Sequence, residues 1–269
     1  DEGAGKSRLL ATVAESLLSP PRGASTVTRV NRGSITLGGL DVTKWDGSSL
    51  RKRVGVMLND VRTCSDKANI LSGLTMEEIL EPFDGLRTVD PSHSPTLSER
   101  ACITQALHIT GLNASLLPRL PSKMSTVVTA NEEDLKPSHF RARSVVLSPV
   151  EWSKVLLARV LSQTIFDNDS TSHNSDKFEN CLIGSVLLLD DVTSGLSEID
   201  EARLLKNLRQ TGATVVVTSN RWAAGRWADK IVVVRDGVIV ESGTHAELLS
   251  RGAQKSLYAS NWHAMTSMT

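Results

Sequence analysis

The first seven residues, Asp1-Glu2-Gly3-Ala4-Gly5-Lys6-Ser7, match the phosphate-binding pattern G-x-x-x-x-G-K-[ST] at every position after its first glycine. That glycine would stand immediately before Asp1, so we expect the chain to be a fragment whose leading strand is missing. Glycines allow consecutive backbone N–H groups to line an anion site. Apolar residues at helical spacing after the loop predict a helix whose N-terminus faces the same anion. The alternative is a glycine-rich turn that caps an ordinary helix.

This loop predicts contacts to a nucleoside triphosphate. Its lysine, Lys6, would reach the β- and γ-phosphates, and the Ser7 hydroxyl would coordinate Mg²⁺. The candidate nucleotide-binding residues are therefore those of the loop and of the first helical turn: Gly3, Ala4, Gly5, Lys6, Ser7 and Arg8.

The composition of the 269 residues is that of an ordinary globular domain, with 40% hydrophobic and 22% charged residues. The formal net charge of +0 gives no electrostatic support for binding to nucleic acid. The three cysteines, Cys64, Cys102 and Cys181, lack zinc-ligand spacing and indicate reduced thiols in a cytosolic setting. The sequence contains no apolar run long enough to span a membrane and no signal peptide.

Strands and helices alternate along the chain, which predicts an α/β fold with a parallel sheet and right-handed crossovers. The continuous apolar run 186–189 is typical of a central parallel strand buried on both faces, and 54–58 and 214–218 are predicted to be two further buried strands. Three segments besides the first helix are predicted to be helical: 99–109, 148–161 and 198–210.

Smaller elements interrupt this core. Residues 33–42, and the residues around the Asp236-Gly237 turn, predict short antiparallel pairs. The segment from about 75 to 160 has few strand signals and predicts an inserted helical subdomain. The polar stretch from about 167 to 180 predicts a low-complexity insertion.

The apolar run 186–189 ends in two acids, Asp190 and Asp191. Opposite a phosphate-binding loop, the first acid would hold Mg²⁺, directly or through water. The second would orient or deprotonate the attacking water. The alternative is that both acids cap the turn after the strand, and the pair alone leaves both interpretations open.

Further motifs surround the acids in a fixed order. Leu147-Ser148-Pro149-Val150-Glu151, followed by a basic, apolar helix with Ala158-Arg159, resembles the signature helix of ATP-binding cassette (ABC) proteins, whose motif is L-S-G-G-Q. Thr193-Ser194-Gly195-Leu196-Ser197 is similar to the family's D-loop, and Asn220 stands where the family has its switch histidine. From Asp1 to about Tyr258 the chain resembles the nucleotide-binding domain of ABC exporters. The remaining matches are the Q-loop position Leu58-Asn59-Asp60 and the C-terminal segments 228–234 and 237–249.

The resemblance implies one ATPase domain over residues 1–258 with a P-loop NTPase core, followed by a tail at 259–269. It implies ATP and Mg²⁺ as ligands. It also implies that two such domains sandwich ATP, each phosphate loop facing the partner's signature, so Ser148 joins the nucleotide-binding candidates. Closure of the pair would drive a transmembrane domain, in the same or another chain, at the cytoplasmic face of a membrane. Three residues would lie at the metal: Ser7, Asn59 and Asp190.

Several positions depart from the family pattern. The catalytic candidates are all substituted: Asp191 stands in place of a glutamate, Asn59 of a glutamine and Asn220 of a histidine. The aspartate is shorter by one C–C bond, about 1.5 Å, which takes a base out of its usual reach. Pro149-Val150 replaces the two signature glycines, so backbone donors are compromised, and Glu151 adds negative charge there.

The sequence therefore predicts the ATP-binding domain of an exporter-like transporter that binds Mg-ATP, hydrolyses it slowly and pairs with a better-preserved second domain. One alternative is a catalytically inactive domain that binds nucleotide to dimerise or regulate. Another is a soluble ABC protein with no membrane partner. The transported substrate would be selected by a membrane domain, so this chain does not predict it.

Overall fold

The computed structural model describes residues 3–18, 33–58, 68–82, 96–131, 144–167 and 179–267. The helices in these ranges include α1 (Lys6–Leu18), α2 (Gly47–Arg53), α3 (Met76–Leu80), α4 (Leu97–Thr110), α5 (Leu112–Ser115), α6 (Pro149–Asp167), α7 (Glu198–Gln210), α8 (His245–Ser250) and α9 (Leu257–Thr266). The strands are β1 (Thr36–Leu37), β2 (Leu40–Asp41), β3 (Val54–Met57), β4 (Val127–Thr129), β5 (Ser144–Val146), β6 (Val186–Asp190), β7 (Thr214–Thr218), β8 (Ile231–Arg235) and β9 (Val238–Gly243). Turns of 3₁₀ helix lie at Val42–Lys44, Leu117–Arg119, Lys123–Ser125 and Trp222–Trp227.

A parallel sheet of order β3-β6-β7 forms the centre of the fold. Every residue of β6 is buried, as the continuous apolar run predicts for a strand covered on both faces. On one face, Leu10 of α1 and Leu50 of α2 share a core with Leu188. On the other face, α4 and α6 enclose Leu187 and Leu189 in the larger core. The sheet is thus sandwiched between helices, and its strand ends open onto one edge.

The expectation that 214–218 is a buried strand is wrong, because none of the residues of β7 is fully buried. In the described ranges β7 pairs with β6 alone, and Thr214 and Val216 are exposed, while Val215 and Val217 pack against the core under α6. A run of β-branched residues predicts a strand through its local preference, but the covering of its second face depends on distant elements.

The middle of the chain is largely helical, as expected from 75 to 160. α4 packs along α6, and the short helices α3 and α5 lie beside them. A parallel pair, β4 with β5, also occurs there, in the register Val128↔Val145. Strands of three residues are too short to show a period of two, which is why the sequence did not predict them. The subdomain boundaries stay a prediction, and most of the expected insertion, 168–178, lies outside the described residues.

The two predicted antiparallel pairs are present. β1 and β2 are joined by Gly38-Gly39, and β8 and β9 are joined by Asp236-Gly237. All four turn residues have positive φ, the conformation of the tight hairpin turn that Gly-Gly and Asp-Gly favour. In the described part of the chain, no helix is both long and apolar enough to cross a membrane.

Candidate functional site

The predicted phosphate loop wraps the start of α1. Gly3 and Gly5 have φ of 85° and 91°, which glycine adopts without strain. The Ala4 carbonyl accepts a hydrogen bond from the Gly237 N–H at 3.1 Å, so the β8–β9 turn supports the loop. The first bond of α1 runs from the Leu9 N–H to the Gly5 carbonyl at 2.9 Å. Helix geometry therefore directs the preceding N–H groups out of the helix end, where they are suited to bind an anion.

An open pocket of about 410 Å³ lies between this loop and the carboxyl ends of β6 and β7. All six predicted nucleotide-binding residues of the loop line it, together with the two catalytic candidates Asp191 and Asn220. The fold therefore brings the start of the chain together with residues about 190 to 220 positions further along it. The complete lining is Gly3, Ala4, Gly5, Lys6, Ser7, Arg8, Asp191, Thr218, Ser219 and Asn220.

Two of the three metal candidates are in direct contact. The Ser7 hydroxyl donates to Asp190 Oδ1 at 2.8 Å, across 183 positions of sequence. Asp190 is the last residue of β6 and is 3% exposed. Hydroxyl and carboxylate oxygens are the ligands that a hard divalent cation prefers, so this pair fits Mg²⁺. The third candidate, Asn59, lies outside the described residues.

Asp191 follows β6 in a left-handed conformation, with φ of 48°. Burial raises the pKa of its carboxyl, a hydrogen bond with Ser194 opposes that rise, and the negative charge of Asp190 adds to it. The charges of Lys6 and Arg221 lower the same pKa to a lesser extent. The net effect is a raised pKa, which suits a group that has to accept a proton.

The end of β7 forms the opposite wall of the pocket. Asn220 is exposed there, whereas the side chain of the next residue, Arg221, reaches the buried Glu201 of α7 at 3.3 Å. Sequence reasoning missed two further lining residues, Thr218 and Ser219. Hydroxyl residues at the end of a strand belong to no motif, so no signal pointed to them.

The signature candidate, Ser148, is not part of this pocket and lies at the start of α6. Its N–H and its hydroxyl donate to Glu151 Oε2 at 2.9 and 2.8 Å, and the Glu151 N–H donates back to Ser148 Oγ at 3.3 Å. These reciprocal bonds are a capping box. Pro149 occupies the first helical position, where proline is favoured because that N–H has no helical partner.

Arg119 and Gly195 also contact the signature segment. The second oxygen of Glu151 accepts a hydrogen bond from the Arg119 guanidinium. Partial burial opposes ionisation of Glu151, but the bonds from Ser148 and the charge of Arg119 outweigh it, so the pKa of the carboxyl is lowered. Val150 packs over Gly195 of the predicted D-loop, where a Cβ would come within 3.0 Å of Val150 Cγ2. The negative charge expected beside a triphosphate is therefore paired and hydrogen-bonded.

Comparison with known proteins gives relatives over most of the chain, although no family model matches it. The lactococcin transport/processing ATP-binding protein LcnC-like of Lactococcus lactis subsp. lactis (strain IL1403) is 24% identical over 231 residues, covering 86% of this chain and 25% of that protein. The mitochondrial iron-sulfur clusters transporter ATM1 of Candida glabrata is 27% identical, covering 86% and 25%. The ATP-dependent lipid A-core flippase of Salmonella typhimurium (strain LT2) is 27% identical, covering 88% and 32%.

A solved structure of a bacterial Atm1-family ABC exporter with ATP bound superposes with a TM-score of 0.58 at 23% identity. The likeness covers 98% of this chain and 36% of that one. The chain spans about a quarter to a third of the length of the curated relatives above.

Proposed function

We propose that this chain, whose homologues are the ATP-binding proteins of ABC exporters and whose fold is theirs, binds Mg-ATP at the pocket of the phosphate loop. The observation that carries the proposal is the 2.8 Å hydrogen bond from Ser7 to Asp190. It joins the loop to the end of β6 at the place where a metal-bound triphosphate needs a hydroxyl and a carboxylate together.

The residues of the pocket have distinct roles in this proposal. The backbone N–H groups of the loop and the Lys6 ammonium would bind the β- and γ-phosphates, while Ser7 and Asp190 would hold the Mg²⁺ ion, with Asn59 as a further ligand. When bound, Mg²⁺ supplies positive charge against the phosphate oxygens. Asp191 would accept the proton of the attacking water.

Hydrolysis by this site would be slow. The Asp191 carboxylate is about 1.5 Å shorter in reach than the glutamate it replaces, and a misplacement of about 1 Å can cost on the order of 10²-fold in rate. Asn220 offers an amide where the family has an imidazole, so this position could not give the γ-phosphate the positive charge of a protonated histidine.

The partner we propose is a second, better-preserved ABC ATP-binding domain. Ser148, the residue that would serve the partner's nucleotide, is engaged by Glu151 within its own helix. In a pair of identical chains, each weakened pocket would face a signature whose serine is bonded within its own helix. In a heterodimer, this chain's pocket would face a partner signature whose glycines are kept.

Transport is proposed by homology. A transmembrane domain, in the same or another polypeptide, would place the chain at the cytoplasmic face of a membrane and use its closure to move a substrate. The names of the three relatives refer to lactococcin, iron-sulfur clusters and lipid A-core, so they indicate no common cargo.

A catalytically inactive domain that binds nucleotide to dimerise or regulate is the second candidate. The self-capped signature favours it, because the same chain carries weakened groups on both sides of the composite site. A steady-state ATPase assay on the paired complex separates the two candidates. Phosphate release that stops when Asp190 is replaced by asparagine supports the ATPase. ATP binding without any phosphate release supports the inactive domain.

Isothermal titration of the purified protein with Mg-ATP tests the binding site. Lys6→Ala should weaken binding by about 10- to 150-fold, because a charged hydrogen bond contributes about 1.5–3 kcal/mol. The control is Lys206→Ala, which removes an exposed lysine from α7, outside the pocket lining. Equal affinities for the wild type and Lys6→Ala would contradict the proposed site.

A further inference from the structure

Thr218 connects the two acids that end β6. It is the last residue of β7 and stands beside Asp190 in the parallel register. Its hydroxyl donates a hydrogen bond to Asp190 Oδ1. The same hydroxyl oxygen accepts the N–H of Asp191 at 3.1 Å, and the Thr218 carbonyl accepts that N–H at 3.1 Å as well. One side chain therefore contacts a metal candidate and the backbone of the proposed base.

We propose that Thr218 is a positioning residue that aims the Asp190 carboxylate at Mg²⁺ and fixes the path of the chain into Asp191. This inference rests on the proposed function of the pocket. The hydroxyl has a defined direction, because the Asp191 N–H occupies one of its lone pairs and leaves its proton for the carboxylate. Threonine is also stiff at χ1, so the position of the oxygen is set by the strand.

Asp190 Oδ1 receives two hydroxyl donors, and they differ in kind. Ser7 belongs to the phosphate loop and is itself proposed as a metal ligand. Thr218 belongs to the sheet, and its hydroxyl bonds to the Asp190 carboxylate and to the Asp191 N–H. It can therefore hold the carboxylate in one orientation in the presence and absence of nucleotide, as outer partners of metal ligands do.

The contact to Asp191 gives the second half of the role. A non-glycine residue at φ of 48° is strained and persists where its surroundings hold it. The Asp191 N–H makes a bifurcated hydrogen bond to the hydroxyl and carbonyl oxygens of Thr218, which holds the backbone in this conformation. The direction of the Asp191 side chain therefore depends on the end of β7.

A double-mutant cycle on the ligand-free protein tests the contact itself. Thr218→Val is nearly isosteric and removes the hydroxyl, and Asp190→Asn removes the charge it serves. In urea unfolding, each change alone should raise the unfolding equilibrium constant. The double variant should raise it by on the order of tenfold less than the product of the two single effects. Thr214→Val, at the exposed start of the same strand, is the matched control and should combine multiplicatively with Asp190→Asn.

A second measurement addresses the metal. The ratio of the ATP Kd in EDTA to the Kd in Mg²⁺ should fall on the order of tenfold in Thr218→Val, and Thr218→Ser should restore it. A merely structural role would lower stability without moving this ratio. An unchanged ratio in Thr218→Val, or multiplicative behaviour in the cycle with Asp190→Asn, would overturn the inference. Absence of ATP binding in the wild type would instead refute the proposed function, and the ligand-free cycle would still show whether Thr218 holds the Asp190 carboxylate.

Discussion

Replacement of Glu151 by alanine tests the self-capped signature. The change removes hydrogen bonds of 2.9 and 2.8 Å from Ser148 and the ion pair with Arg119. Ser148 keeps its own cap bond from the residue 151 N–H, so only the reciprocal half of the box is lost, at about 0.5–1 kcal/mol. The pair with Arg119, whose side chain is 59% exposed, adds at most about 1 kcal/mol because solvent screens it. We therefore expect a loss of about 1–2 kcal/mol, or a melting temperature lowered by roughly 3–6 °C.

Glu151→Gln separates the cap from the charge. Glutamine also completes a capping box, so this variant should lose less than about 1 kcal/mol near pH 7. The folded pKa of Glu151 is lowered, so its charge stabilises the fold fully above the ordinary carboxyl pKa, and that contribution disappears as pH falls through the folded value. The difference between wild type and Glu151→Gln should accordingly shrink in acid.

The control for this series is Glu247→Ala. Glu247 completes the capping box of α8 with Thr244, through bonds of 2.8 and 3.2 Å. The Glu247→Ala variant should lose a comparable amount of stability with no change in nucleotide-dependent pairing. Glu151→Ala should change both the stability and the pairing. A melting temperature for Glu151→Ala equal to or above that of the wild type would refute the self-capped signature.

The remaining predictions concern turnover and packing. The purified chain alone should hydrolyse ATP at well below roughly 1 s⁻¹. Restoring the family's residues at all five altered positions together should raise the steady-state rate by more than the product of the five single restorations. A rate largely restored by Asp191→Glu alone would contradict this. An alanine Cβ at Gly225 would overlap the Tyr258 hydroxyl, so Gly225→Ala should lower the free energy of unfolding in urea by about 1–3 kcal/mol. Tyr258→Phe removes that hydroxyl and should relieve part of the loss, whereas additive effects of the two changes would contradict the overlap. The repaired variant carries Asn59→Gln, Pro149→Gly, Val150→Gly, Asp191→Glu and Asn220→His.

The core of the fold was predictable because its signals are local and long. The apolar run of β6 and the periodicity of α4 and α7 predict those elements, and the structure confirms them. The order of motifs predicted a resemblance to ABC exporters, and the homologues that match most of the chain are ABC exporter ATP-binding proteins. The exposure of Val216 on β7 was not predictable, since it depends on what packs against that strand from elsewhere in the chain.

The candidate site was predictable where a motif names its residues. The loop and the paired acids were expected to meet, and Ser7 lies 2.8 Å from Asp190. Their roles toward nucleotide and metal stay predictions. Thr218 had no motif, because its importance comes from the parallel register that sets it beside Asp190, and register is a property of the folded sheet.

The signature shows why a departure from a family pattern has to be interpreted physically as well as counted. Ser148-Pro149-Val150-Glu151 lacks the glycines, yet Ser-x-x-Glu with proline at the first helical position is a strong start signal for a helix. Three other helices in the described ranges begin with the same box: Thr75 with Glu78, Thr96 with Glu99, and Thr244 with Glu247.

In the proposed signature, the substitutions would therefore exchange one physical property for another. A glycine-rich start leaves N–H groups free for a partner's phosphates, while the box uses the Ser148 hydroxyl and N–H to stabilise α6 itself. Restoring Pro149→Gly and Val150→Gly should then weaken the start of α6 by up to about 1 kcal/mol for each glycine, even as Pro149→Gly returns one backbone N–H donor and Val150→Gly uncovers the backbone beside it. In those variants the stability should fall while nucleotide-dependent pairing becomes stronger. This result would distinguish a signature that has become a helix cap from a signature that has only lost its function.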